Sequence, residues 1–142
     1  MLILLSRDGH CSPGPNGENG SLIPRQVLFG NPDKTSVKIS PDGSRISYLA
    51  PVNGVLNLWV APAEDPLRAR PVTNDTHRGI RSYAWAYNNE VLYLQDTDGD
   101  ENWRLFKVNP GPGKGEVECL TPKGCLAAIQ KISLYFPNEI LV

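Results

Sequence analysis

A short hairpin recurs in this sequence at intervals of 45 and then 49 residues, and no other feature constrains the fold as tightly. The first copy is Lys38-Ile39-Ser40-Pro41-Asp42-Gly43-Ser44-Arg45-Ile46-Ser47-Tyr48-Leu49. Pro41 presets φ for a turn, Asp42 can bond its own backbone, and Gly43 accepts the positive φ that other residues resist. Val37 and Ile39 on one side, and Ile46 and Tyr48 on the other, alternate with polar neighbours as half-buried strands do.

Ile46-Ser47-Tyr48-Leu49 matches Val91-Leu92-Tyr93-Leu94, and Val91-Leu92-Tyr93 matches Ile140-Leu141-Val142. Each match follows a turn: Ser40–Gly43, then Tyr87–Glu90, then Phe136–Glu139. The ends of the repeats also agree, since Pro71-Val72-Thr73 lines up with Cys119-Leu120-Thr121. Four strands can be drawn in the first period, over Ser36–Ser40, Arg45–Ala50, Leu56–Ala61 and Arg70–Thr73. In the second they fall on Ser82–Ala86, Glu90–Gln95, Arg104–Asn109 and Glu116–Leu120. A third begins near Ala127–Leu134 and stops at Val142 inside its second strand.

Four short strands per period, with no helical periodicity of useful length, predict an all-β fold: a partial β-propeller. The blades expected are 36–73, 82–121 and an incomplete 127–142, two four-stranded antiparallel units and the start of a third. The competing reading is an ordinary β-sandwich whose hairpins resemble one another. A ring needs at least about four blades, so the chain is expected to be a fragment, able to self-associate through exposed blade edges. Trp59, Trp85 and Trp103 are the large residues expected at the contact between blades, with a place inside their own sheets as the alternative.

Residues 1–22 differ from the rest. Ser12-Pro13-Gly14-Pro15-Asn16-Gly17-Glu18-Asn19-Gly20 is a run of turn formers with nothing to bury, and predicts a flexible lead-in to a domain over 23–142. Met1–Leu5 is apolar but too short for a signal-peptide core or a membrane span, so the compartment is undeclared. Fourteen Lys and Arg against 15 Asp and Glu, with no basic run, argue against sequence-independent nucleic-acid binding. The 13 Gly and 13 Pro fit a chain built of turns.

No constellation of catalytic, cofactor-binding or metal-binding residues emerges. Asp96, Asp98 and Asp100 alternate as in a calcium loop, but Glu101 and Lys107 stand where an EF-hand needs Gly and Glu. The loop reads as an acidic hairpin turn. No Gly is followed two residues later by Ser, so the Gly-x-Ser-x-Gly nucleophile elbow is absent. His10 and His77 have no Ser or Cys partner in evident reach. Gly111-Pro112-Gly113-Lys114-Gly115 carries Gly where a phosphate loop needs Ser or Thr, and reads as a hairpin. Asn19-Gly20-Ser21 and Asn74-Asp75-Thr76 fit the glycosylation pattern, without a secretion signal to give it meaning. Cys11, Cys119 and Cys125 form no C-x-x-C. Cys119 and Cys125 flank a turn and could bridge, or could fill small apolar sites as thiols.

Several stretches nevertheless resemble one family. Ile23-Pro24-Arg25-Gln26-Val27-Leu28-Phe29-Gly30-Asn31-Pro32, Ile39–Gly43, Asn57-Leu58-Trp59-Val60 and Asp98-Gly99-Asp100-Glu101-Asn102-Trp103 resemble the propeller domain of the prolyl oligopeptidase family, in its dipeptidyl/acylaminoacyl-peptidase branch. Ser-Pro-Asp-Gly is shared with many propellers, including the TolB type. The Phe-Gly-Asn-Pro and Asp-Gly-Asp-Glu-Asn-Trp stretches are more specific. The resemblance implies a serine peptidase in which a propeller restricts short peptides' access to a C-terminal α/β-hydrolase domain bearing a Ser-Asp-His triad. No triad position falls within this sequence, so the peptide substrate is met only through that further domain. No cofactor, nucleic-acid or membrane role is implied. The rival implication is a TolB-type propeller acting as a protein-interaction scaffold.

Overall fold

The computed structural model describes residues 33–112 and 115–142, together with Val27 and Gly30. The lead-in over 1–22, the Ile23–Pro32 stretch apart from those two residues, and Gly113 and Lys114 of the Gly-rich hairpin lie outside the described residues. All the elements below belong to the unit Asn31–Val142.

The chain is all-β. The strands are β1 (Thr35–Ile39), β2 (Arg45–Val52), β3 (Val55–Pro62), β4 (Arg70–Pro71), β5 (Tyr83–Trp85), β6 (Val91–Gln95), β7 (Arg104–Val108), β8 (Val117–Cys119), β9 (Lys131–Ile132) and β10 (Ile140–Leu141). Among the described residues of 33–142 the one helical segment is a 3-10 turn at Pro66–Arg68. Two four-stranded sheets follow chain order, β1-β2-β3-β4 and β5-β6-β7-β8, and β9 pairs with β10. Every pairing is antiparallel. Each full sheet is a simple meander, the topology of a propeller blade. The strands fall where the repeat places them, except that β4, β5, β8 and the third pair are shorter.

Local chemistry explains the hairpins. At the first turn Gly43 N–H donates to Ser40 O at 2.9 Å with Gly43 at φ 73°. Forty-six residues on, Asn89 N–H donates to Ala86 O at 3.0 Å with Asn89 at φ 65°. Asn tolerates the left-handed region better than most residues other than Gly. The second turn is thus Ala86–Asn89, one residue earlier than expected. The third, Phe136–Glu139, closes with Glu139 N–H on Phe136 O at 3.1 Å. Between β2 and β3, Asn53 and Gly54 both take positive φ, as a two-residue hairpin turn requires.

The recurring Thr has a physical reason. Leu58 N–H donates to Thr73 Oγ1 at 2.9 Å, and Leu105 N–H donates to Thr121 Oγ1 at 3.0 Å. In both repeats the hydroxyl satisfies a third-strand amide just where the short fourth strand ends. Beside it, buried Asn57 accepts from Thr73 Oγ1 and Asp75 N–H and donates to Val55 O and Asp75 O.

Alternation along the strands gives each sheet two apolar faces. Leu49, Leu58 and Val60 on the first sheet pack with Tyr83, Trp85, Val91, Tyr93 and Val108 on the second. The opposite face of the second sheet puts Leu92 and Leu105 against Ala127, with Ile129, Ile132 and Ile140 beside them. The second sheet therefore uses one face for the first sheet and the other for the third unit. Leu49 and Leu58 have no exposed surface, and truncating either to Ala would cost about 2–5 kcal/mol.

Candidate functional site

The most elaborate side-chain chemistry lies between the first two sheets. Ser47, fully buried on β2, accepts the indole N–H of Trp85 at 2.8 Å and lies 2.9 Å from the Tyr83 hydroxyl. Tyr83 donates onward to Ser36 O at 2.6 Å. Ser36 sits in a β-bulge, at φ 56°, which re-aims its carbonyl toward the neighbouring sheet. Lys38 donates to Tyr83 O and stands 4.6 Å from the centre of the Tyr83 ring. Burial raises the Tyr83 phenol above its ordinary range. The cluster holds one sheet in register on the next, and nothing in it activates a nucleophile.

Of the three tryptophans, Trp85 is the one that takes the expected place between sheets. Trp59 stays within its own sheet, stacked on Tyr48 with centroids 6.4 Å apart and its N–H on Ala50 O. Trp103 is half-buried, and its carbonyl accepts from Ala127 N–H at the start of the third unit.

The acidic loop is a structured turn. Arg78 grips Asp96 through two parallel bonds, Nε to Oδ1 at 3.1 Å and Nη2 to Oδ2 at 3.0 Å. Asp100 accepts the Asn102 side chain first, then the Asn102 and Thr97 amides, which hold its carboxyl below the usual range. Among the described residues no three His, Cys, Asp or Glu side chains converge as a metal site. His77 is exposed, with Nδ1 2.9 Å from Thr76 Oγ1. Asp42 closes the first turn by accepting Ser40 Oγ, Ser44 N–H and Ser44 Oγ, which hold its carboxyl at about 2. Cys119 and Cys125 are free thiols, directed at Thr121 O and Pro122 O.

Two crevices open along the boundary between the sheets. One, of about 390 Å³, lies between the end of the first sheet, with Thr73 and Asp75, and the Tyr93, Gln95 and Phe106 face of the second. The other, of about 600 Å³, is edged by Arg45, Arg68, Arg70 and Glu64, opposite Pro110–Pro112. Arg70 donates to Pro110 O at 3.0 Å and to Gly111 O, tying the sheets together there. Sequence patterns did not single out these crevices, because their walls come from residues 20 and more apart whose types are unremarkable alone.

No family model matches the chain. Two curated proteins do. Dipeptidyl aminopeptidase BIII of Pseudoxanthomonas mexicana is 48% identical over 122 residues, covering 85% of this chain and 18% of that protein. Dipeptidyl peptidase family member 6 of Caenorhabditis elegans is 40% identical over 90 residues, covering 62% of this chain and 12% of that protein. The chain thus spans less than a fifth of the length of these relatives. The resemblance to the dipeptidyl-peptidase branch of the prolyl oligopeptidase family is borne out by both.

Proposed function

We propose that this dipeptidyl-peptidase relative is the N-terminal portion of a propeller that gates access of short peptides to a C-terminal α/β-hydrolase domain. In this reading the chain supplies blades and no catalytic group. The observation that carries it is the 48% identity to a dipeptidyl aminopeptidase over 122 residues. The stacking of successive sheets, face upon face, supports a ring better than a two-layer sandwich. A sandwich pairs two inner faces and leaves the outer ones wet, whereas both faces of the second sheet are covered here.

The remaining open surfaces fit the same reading. The Tyr48–Trp59 pair on the first sheet corresponds to Tyr93–Phe106 on the second, also stacked, at 5.3 Å. Tyr93 is buried against the first sheet, and we assign the Tyr48 face to an equivalent neighbour in the ring. Taken alone, the chain is expected to self-associate through such faces and edges. The TolB-type scaffold has no comparable support, since both relatives carry peptidase names.

Hydrolysis by the whole protein tests the proposal. A fluorogenic dipeptidyl amide should be cleaved, and a serine-directed phosphonate should abolish the cleavage. Absence of any aminopeptidase or endopeptidase activity in the folded whole protein would refute it.

A further inference from the structure

The crevice between Asp75 and Tyr93 has the makings of a ligand site, independently of the peptidase reading. Tyr93 is 4% exposed, yet its hydroxyl meets no hydrogen-bond partner among the described residues. A buried hydroxyl left without a partner is destabilising. Among the described residues Arg104 Nε is the one fully sealed side-chain nitrogen or oxygen without a partner. The Tyr93 hydroxyl therefore keeps an opening, and the residue lines this crevice. Burial first, and then the charge of nearby Asp75, push the Tyr93 phenol upward, so it stays a neutral hydroxyl.

The other walls narrow the ligand's chemistry. Asp75 supplies a carboxylate whose oxygens accept Gly79 N–H and, at 3.5 Å, His77 N–H, and each oxygen has a second lone pair to offer. Gln95 lines the same space, and its side-chain amide has no hydrogen-bond partner among the described residues. Thr73 is already committed to Leu58 and Asn57. Phe106, stacked on Tyr93, and Val117 give an apolar wall. Arg104 lies over Phe106, 5.5 Å from its centre, and does not line the crevice.

We propose that this inter-sheet crevice binds a primary ammonium carried on a small apolar or aromatic body. An ammonium has three donors and no acceptor, matching the Asp75 carboxylate, the Tyr93 hydroxyl oxygen and the Gln95 carbonyl, while the body lies on Phe106 and Val117.

Phenethylamine is the probe, titrated at pH 7 into the intact protein that carries this chain, with its peptidase site blocked by a serine-directed phosphonate, and followed by saturation-transfer NMR. Saturable binding is expected in or below the millimolar range. Asp75→Asn should weaken it about tenfold through loss of a charge-assisted bond, and Tyr93→Phe should weaken it measurably. The neutral analogue phenethyl alcohol should bind less well than the amine. Asp75 also caps Gly79, so if Asp75→Asn fails to fold, Gln95→Leu and Tyr93→Phe carry the test. No saturable binding, equal affinity for amine and alcohol, or wild-type affinity in the folded variants would overturn the proposal.

Discussion

The indole N–H of Trp85 is bonded at 2.8 Å to the hydroxyl of Ser47, 38 residues earlier and on a different sheet. Ser47 is fully buried and Trp85 is 9% exposed, so the bond lies where water cannot replace it. Ser47→Ala would leave the indole donor unsatisfied in an apolar contact. The expected cost is about 1–3 kcal/mol, read as a lower urea midpoint without a change in slope. Trp85→Phe removes the donor as well, so a double-mutant cycle should show strong coupling between the two positions.

Thr73 and Thr121 hold the same amide in successive repeats, but Thr73 is buried and belongs to the Asn57 network while Thr121 is half-buried. Thr→Val at either position keeps shape and removes the acceptor. Thr73→Val should cost about 1–3 kcal/mol and Thr121→Val less. Faster hydrogen exchange at the Leu58 amide in the first variant, and at the Leu105 amide in the second, would check this.

Gly115 leaves no room for a side chain. A Cβ there would stand 2.5 Å from Val108 Cγ2 and 2.9 Å from Val72 O. Gly115→Ala must displace the Val108 side chain of its own sheet and the Val72 backbone of the first, at about 1–3 kcal/mol. Gly124 has φ 76° and open space around it, so Gly124→Ala should cost only backbone strain, about 1 kcal/mol. Thermal midpoints of the two variants should rank accordingly, with Gly115→Ala the lower.

Asp42 sets the acid response of the first hairpin. Its carboxyl is held at about 2, below its ordinary 3.8, by the Ser40 hydroxyl first and then by Ser44. A depressed folded pKa stabilises the turn fully above the unfolded value. That contribution is lost as pH falls from about 4 through about 2. Ser40→Ala should move the Asp42 titration upward toward 3.8, followed by the carboxyl carbon shift in NMR. An unchanged titration would show that the hydroxyl does not hold it.

The fold was largely legible because its local signals repeat. A turn ahead of each second strand, Tyr48 and Tyr93 within the first two of those strands, and the terminal Thr73 and Thr121 occur at matched positions, so one weak hairpin became a pattern. What repetition does not carry was missed. Ser47 is replaced by Leu92 in the second copy, so the link to Trp85 leaves no periodic trace. The tryptophans were undecided for a related reason. An indole fits either face of a strand, and a shift by one residue decides whether it meets its own sheet or the next. Asp96 likewise looks like one more loop carboxylate until Arg78 is brought beside it by the link between the sheets. The crevice beside Tyr93 depends on how far apart the two sheets stand, which no local pattern encodes.

Reading the protein sequence that follows Val142 in the intact gene product tests the central claim most directly. Further four-strand repeats at spacings of 45–49 residues, followed by a Gly-x-Ser-x-Gly elbow, are expected. Repeats that end with no such elbow, or no repeats at all, would contradict the assignment of this chain to the propeller of a serine peptidase.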